Sequence, residues 1–240
     1  MNFCLRLINR VTTVTSDFAG TCKSIGYADG PILQAKFGHV VDLLKGKDSL
    51  EHLIFVVDRG FKALRNINTK TGLVHTIERE EFFDKPSCVL LDTERNNSLL
   101  VFSSTVIKRV EFEESEDVYH TTTIFSNTET RNTIDGRLSE STLYNVEKVV
   151  LLRQEVFVLT QYSTEISLRV LDLKNKTVSS ICMGSREFKA GLPGSCALFR
   201  PFGLLISKSV LYIGSIKGIF AIPSKTFKVF IDLLKLLLFL

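Results

Sequence analysis

Short apolar runs alternate with polar, turn-forming stretches along almost the whole chain. Runs such as "LIFVV", "SLLVF", "VVLL" and "VFVL" are continuously apolar, the pattern of strands covered on both faces, whereas "LVHTI" and "TTTIF" alternate as strands covered on one face do. Helical periodicity is scarce. The stretch "LRNINTKTGLVHTI" at residues 64–77 reads as a strand, a polar turn and a second strand. Relatives of it stand at 168–181, "LRVLDLKNKTVSSI", and at 5–15, "LRLINRVTTVT".

Aligning these hairpins sets anchors at Leu5, Leu64, Ile107, Leu168 and Ile219, an interval of roughly 50 residues with variable insertions. Two further strands precede each anchor except the first, for example "HVVDLL" and "HLIFVVD", which makes four strands per unit. A second signal recurs ahead of the strands. "ADGPILQAKF" at 28–37 is echoed by "IDGRLSESTL" at 134–143 and loosely by "AGLPGSCALF" at 190–199, and in the first two a tight Asp-Gly turn is followed at the same spacing by Phe37 or Leu143. Four-stranded, Val- and Ile-rich units joined by Gly-bearing loops predict an all-β chain, a β-propeller of four-stranded antiparallel blades with about four and a half blades present. A β-solenoid is the competing architecture, but the repeat is long for one rung.

Read in full, residues 1–240 form a single propeller domain. Residues 1–20 are the outer hairpin of an incomplete blade, 36–78, 83–125, 143–181 and 199–231 are blades, and 232–240 is an apolar tail. Eighteen Phe, no Trp and two Met agree with strands. The net charge of +4 is too mild to announce a nucleic-acid surface, which needs a concentrated basic face. The start "MNFCLRLINR" has no signal-peptide pattern, so the compartment stays unassigned, with a secretory route open if the N terminus is incomplete. The tail "FKVFIDLLKLLLFL" is broken by Asp232 and Lys235 and is short for a span, so it reads as a final strand, with a truncated membrane anchor as the alternative. Among five cysteines, Cys182 and Cys196 flank one loop and would bridge in an oxidising compartment, while small buried thiols are the other reading. Sequons stand at Asn96 and Asn175 in predicted turns.

The passage from "ADGPILQAKFGHVVDLL" through "HLIFVVDRGFKALRNINTKTGLVHTI" resembles an NHL repeat. Asp58, Gly60, Leu64, Arg65 and Ile67 fall where that pattern expects them, Phe61 stands where Asn is usual, and Ser103, Thr160 and Gly214 take the place of Asp58 in the other copies. The resemblance implies a ring of six blades, of which this chain would hold part. It also implies a functional face where blade-to-blade loops and the turns between second and third strands gather. Here that face would offer Asp29, Asp58, Arg59, Phe61, Lys62, Asp135, Arg137, Tyr162 and Lys217 as binding residues.

Catalytic chemistry has little to build on. His39 is the sole histidine near the expected mouth, no nucleophile or phosphate-loop motif is present, and a metal site would have to be made largely of carboxylates. The acidic run "EFEESED" at 111–117 lacks calcium-loop spacing and reads as a solvated turn. The expectation is a non-catalytic scaffold recognising a protein or peptide at its loop face, with no catalytic residue, no metal ligand and no cofactor. The alternatives are a Ca2+- or Zn2+-dependent hydrolase or lyase of the six-bladed kind, and an RNA-binding NHL-type module.

Overall fold

The computed structural model describes residues 3–79, 84–113, 119–126, 134–162, 165–185, 189, 191 and 194–223. The described strands, in chain order, are β1 Leu5–Ile8, β2 Thr15–Ala19, β3 Gly30–Pro31, β4 Val40–Lys45, β5 Leu53–Asp58, β6 Ala63–Asn68, β7 Leu73–Arg79, β8 Cys88–Leu91, β9 Ser98–Phe102 and β10 Val106–Phe112. They continue with β11 Tyr119–Ser126, β12 Gly136–Arg137, β13 Val146–Leu152, β14 Glu155–Tyr162, β15 Glu165–Asp172, β16 Thr177–Gly184, β17 Cys196–Leu198, β18 Pro201–Ser207, β19 Val210–Ser215 and β20 Gly218–Pro223. Among the described residues there is no α-helix, only short 3-10 turns at Asp48–Leu50 and Arg59–Phe61.

The fold is that of an all-β propeller with about four antiparallel blades. Blade 1 runs β4-β5-β6-β7 and carries β3 beyond β7. Blade 2 is β8-β9-β10-β11, blade 3 is β13-β14-β15-β16 with β12 and β17 both against β16, and blade 4 shows β18-β19-β20. The hairpin β1-β2 stands as a two-stranded sheet of its own. Four blades are described where the resemblance implies six, and the fourth strand expected for blade 4 lies in 224–231, outside the described residues, as do the tail and positions 114–117 of the acidic run. The chain divides into two compact units, residues 1–103 with 108–122, and 104–107 with 123–240.

In the first unit, the continuous run of β5 is explained by burial on both faces. Phe55 and Val57 join Leu64 of β6 and Leu99 and Val101 of β9 in one apolar cluster. Val56 and Ile54 point the other way, into a cluster with Phe37, Ile67, Val74, Leu5, Phe18 and Ala19, so the N-terminal hairpin packs on blade 1. Each fully buried side chain of this size contributes about 1.5–3 kcal/mol. β7 is less covered than β5 or β6: Val74 is buried, His75 and Arg79 are exposed and the rest of the strand is half-buried. In the second unit, Phe157 and Leu159 of β14 and Leu168 and Val170 of β15 pack with Leu211 and Ile213 of β19, joining blades 3 and 4.

The recurring hairpin has a recurring turn. Four residues after each Leu anchor comes Asn9, Asn68 or Asp172, and its side-chain oxygen accepts backbone amides just ahead. Asn9 takes Val11 and Thr12 at 2.9 and 3.0 Å, Asn68 takes Lys70 and Thr71 at 3.0 and 3.1 Å, and Asp172 takes Asn175 at 2.9 Å. A side chain that copies a backbone turn in this way fixes where the strand must reverse.

Candidate functional site

The Asp-Gly turns prove to be one half of a clamp whose other half is an arginine. In the first unit, Gly30 takes a φ of +119° open to few residues but glycine, which turns the chain so that Asp29 faces β6 and β7. The Arg65 guanidinium, on β6 and fully buried, donates to Asp29 Oδ1 and to the carbonyls of Ala28 and Lys36, all at 2.6 Å. Asp29 in turn accepts the Thr76 amide at 2.8 Å and the Thr76 hydroxyl at 3.1 Å. Arg65 also lies 4.5 Å from the Phe37 ring centre and 5.2 Å from that of Tyr27, a cationic sandwich between apolar faces.

Arg65 reaches onward to the β5 end, where its Nη1 is 3.9 Å from Asp58 Oδ2. Asp58 is wholly buried and accepts the Gly38 amide at 2.8 Å, while its Oδ1 has no hydrogen-bond partner. Behind it Gly38 and Gly60 meet back to back. A Cβ on Gly60 would fall 2.5 Å from the His39 nitrogen, and one on Gly38 would fall 2.7 Å from the Phe61 ring and 2.9 Å from Asp58 Oδ1. The turn therefore sits hard against the start of β4, with the Arg59 amide donating to the His39 carbonyl at 2.9 Å.

The second unit repeats the clamp. Arg169 of β15, fully buried, donates to Asp135 Oδ1 at 2.6 Å, to the Ile134 carbonyl at 2.7 Å and to the Thr142 carbonyl. Asp135 accepts the Ser180 amide at 2.8 Å and its hydroxyl at 2.9 Å, as Asp29 does from Thr76. Here Thr160 holds the position of Asp58, in matching register, since Val158 lies opposite Arg169 as Val56 lies opposite Arg65. Burial draws the Arg169 guanidinium below its ordinary value, and Asp135 opposes that.

Asp29, Asp58 and Asp135 are thus bonded into the scaffold, although Asp29 and Asp135 keep 38% and 43% side-chain exposure. Arg59 is half-buried and its Nε donates to the Pro86 carbonyl at 3.1 Å. Phe61 is half-buried with its ring 5.5 Å from that of Tyr27. Lys62 is exposed and adopts the left-handed conformation, φ 49°. Beside this turn a groove of about 610 Å³ opens between Phe3–Leu5 and Gly38–Leu43, with exposed His39 at its edge. The structure therefore brings Asp58, Arg59, Phe61, Lys62 and His39 to one end of blade 1, whereas Asp29 bonds across the outer strands.

In the second unit, Arg137 lies on β12 and lines a groove of about 340 Å³ with Phe125, Asn175 and Lys176. Lys217 is exposed at the β19–β20 turn, its Nζ 5.8 Å from the Phe199 ring centre. Tyr162 closes β14, and its side chain lies outside the described residues. Cys182 and Cys196 form a disulfide between β16 and β17, a second disulfide joins Cys4 to Cys22, and buried Cys88 stands outside both. The Cys4–Cys22 bond left little trace in the sequence. Cys4, Asp17 and Cys22 are also the one group among the described residues whose ligand atoms lie close enough to share a metal ion, and both thiols are engaged in that bond. Sequence reading singled out the Asp-Gly turns without their arginine partners, although both arginines follow the Leu anchor directly.

No family model matches the chain, and no curated protein sequence does. Among solved structures, it is similar to an auxiliary nutrient binding protein from Bacteroides ovatus, with a TM-score of 0.67 at 12% identity over 90% of this chain and 53% of that one. It is also similar to a protein of unknown function from Bacteroides thetaiotaomicron, TM-score 0.53 at 15% identity over 85% and 48%. A chain of a nidogen/laminin complex gives a TM-score of 0.55 at 11% identity over 93% and 87%. The chain spans about half the length of the two Bacteroides proteins. At these identities the likeness is one of fold, which it shares with propeller-like proteins.

Proposed function

We propose that this chain is a non-catalytic binding propeller that recognises a protein or peptide at the turn end of blade 1, where His39 lines the groove beside β4 and Arg59, Phe61 and Lys62 form the turn next to it. One observation carries this reading: Asp29, Asp58 and Asp135 are held by arginines, amides and hydroxyls of the scaffold, and the turn leaves Lys62 and His39 exposed beside a half-buried Phe61. Packed blades hold such a turn in fixed relation to the groove, which suits recognition. A hydrolase or lyase using Ca2+ or Zn2+ would need those same carboxylates turned toward one point. The description of the Bacteroides ovatus protein as a nutrient binding protein supports binding as a use of this fold.

The test is a selection from a random peptide display library on the purified chain. Peptides should enrich and should lose at least tenfold in affinity on His39→Ala with Lys62→Glu, two exposed positions whose change leaves the clamp intact. Absence of enrichment, or enriched peptides indifferent to both changes, would overturn the reading.

A further inference from the structure

The sequons Asn96-Asn97-Ser98 and Asn175-Lys176-Thr177 fall on turns whose other polar side chains are committed. Asn96 stands between β8 and β9 of blade 2. Around it Asp92 accepts the Glu94 amide at 2.8 Å and the Arg109 guanidinium, Arg95 pairs with Glu111, Asn97 accepts the Ser49 hydroxyl and Ser98 donates to the Arg95 carbonyl at 3.2 Å. Asn96 is exposed and outside that network. Asn175 stands, also exposed, between β15 and β16 of blade 3. The matching turns of the N-terminal hairpin and blade 1 are capped by Asn9 and Asn68, neither of which begins a sequon, whereas blade 3 is capped by Asp172. Asn175 Nδ2 gives Asp172 one hydrogen at 2.7 Å. A primary amide has two, so the second can be replaced while the first stays bonded.

The hydroxyls that complete the sequons open the next strands. Ser98 begins β9 and is 2% exposed, and Thr177 begins β16 and is half-buried. A hydroxyl packed in this way is out of an enzyme's reach, so a sugar has to be joined before the strands close. Each asparagine lies at the end of its blade away from the turn between second and third strands. The Ser49–Asn97 bond also sets the Asn96 turn beside the β4–β5 connection, at the far end of β5 from Arg59–Lys62. The disulfides Cys4–Cys22 and Cys182–Cys196 call for an oxidising compartment, the setting in which sequons are used.

We propose that Asn96 and Asn175 are N-glycosylation sites, filled while the chain is still unfolded in an oxidising secretory compartment. The donor is an oligosaccharide carried on a lipid diphosphate. The asparagine Nδ2 bonds to the anomeric carbon of the first sugar, the bond from that carbon to the diphosphate oxygen breaks, and the proton lost from the amide is taken up as the lipid diphosphate leaves. Nothing is oxidised or reduced. At both turns the bulky, hydrated sugar extends into solvent.

The test takes the chain from cells that make it from its own transcript, treats it with peptide N-glycosidase F in heavy-oxygen water and maps the peptides by mass spectrometry. Positions 96 and 175 should both appear as heavy-oxygen aspartate, and Asn68 and Asn97, which begin no sequon, should be unchanged. Asn96→Gln and Asn175→Gln should each remove one sugar chain. Thiol labelling of the denatured double variant should still find Cys88 alone, which tells loss of the sugar from loss of the fold. The chain folded without sugar, offered the lipid-linked donor and membranes that bear the transferase, should accept none. Either sequon left bare in the native chain, five reactive thiols in place of one, or ready modification of the folded chain would overturn the proposal.

Discussion

The two arginine clamps differ most in charge at one position, Asp58 in blade 1 against Thr160 in blade 3, and at that position the first clamp is carried on toward a surface turn while the second stops. Arg65 and Arg169 share three kinds of partner: an Asp-Gly carboxylate, the carbonyl before it and a carbonyl further along the connection. Arg65 alone has a second carboxylate, Asp58, which carries the charge network on to Gly38 and so to the turn at 59–62. Thr160 ends that path in blade 3. Neutral Thr leaves Arg169 with one carboxylate, and that carboxylate is half in water.

The largest effect should come from removing the arginines. Arg65→Met leaves Asp58 charged and fully buried without its cation and should cost about 3–5 kcal/mol, whereas Arg169→Met leaves Asp135 able to hydrate and should cost about 1–3 kcal/mol. Urea unfolding of the two variants reads the difference, and equal losses would break the comparison. Next in size, reduction should weaken both units alike. The disulfides close spans of 18 and 14 residues, so in the chain-entropy view each contributes about 3 kcal/mol. Single Cys4→Ser and Cys182→Ser variants under oxidising conditions check this by thermal unfolding.

Asp29→Ala and Asp135→Ala should match each other at about 1.5–3 kcal/mol, because each removes one guanidinium, one amide and one hydroxyl partner. A marked inequality would show that the clamps are not equivalent. The smallest effect belongs to blade 2, where Lys108 follows the Ile107 anchor as Arg65 follows Leu64. Burial lowers the Lys108 ammonium below its ordinary 10.5, with Glu78 opposing. The unfolded chain then binds more protons than the folded one as pH approaches 10.5, so stability gains with rising pH there. Wild type measured against Lys108→Met should improve by a few tenths of a kcal/mol between neutral and alkaline pH, and a decline would reverse the assignment.

The strands were legible because burial writes itself into sequence. "LIFVV" is continuous since Val56 and Phe55 meet different neighbours, one the hairpin and the other blade 2. The Asp-Gly turns were visible as matched spacing, but their partners were not. Arg65 lies 36 residues from Asp29, and nothing local in "LRNIN" says that its arginine is buried. Asp29 and Asp135 were read as loop-face binding residues because their turns stand in blade-to-blade connections. Asp58, Arg59, Phe61 and Lys62 were found together because they are neighbours in sequence. The groove beside β4 was not, since Phe3 and His39 come together only when the hairpin packs on blade 1. The Cys4–Cys22 bond escaped for the same reason.

The claim beneath all of this is that the Asp-Gly carboxylates belong to the scaffold. Hydrogen exchange of the Thr76 and Ser180 amides, which donate to Asp29 and Asp135, tests it most directly. The account predicts strong and similar protection at both, lost at Thr76 in Asp29→Ala and at Ser180 in Asp135→Ala. Exchange at both amides as fast as in the turn around Lys70 would contradict it.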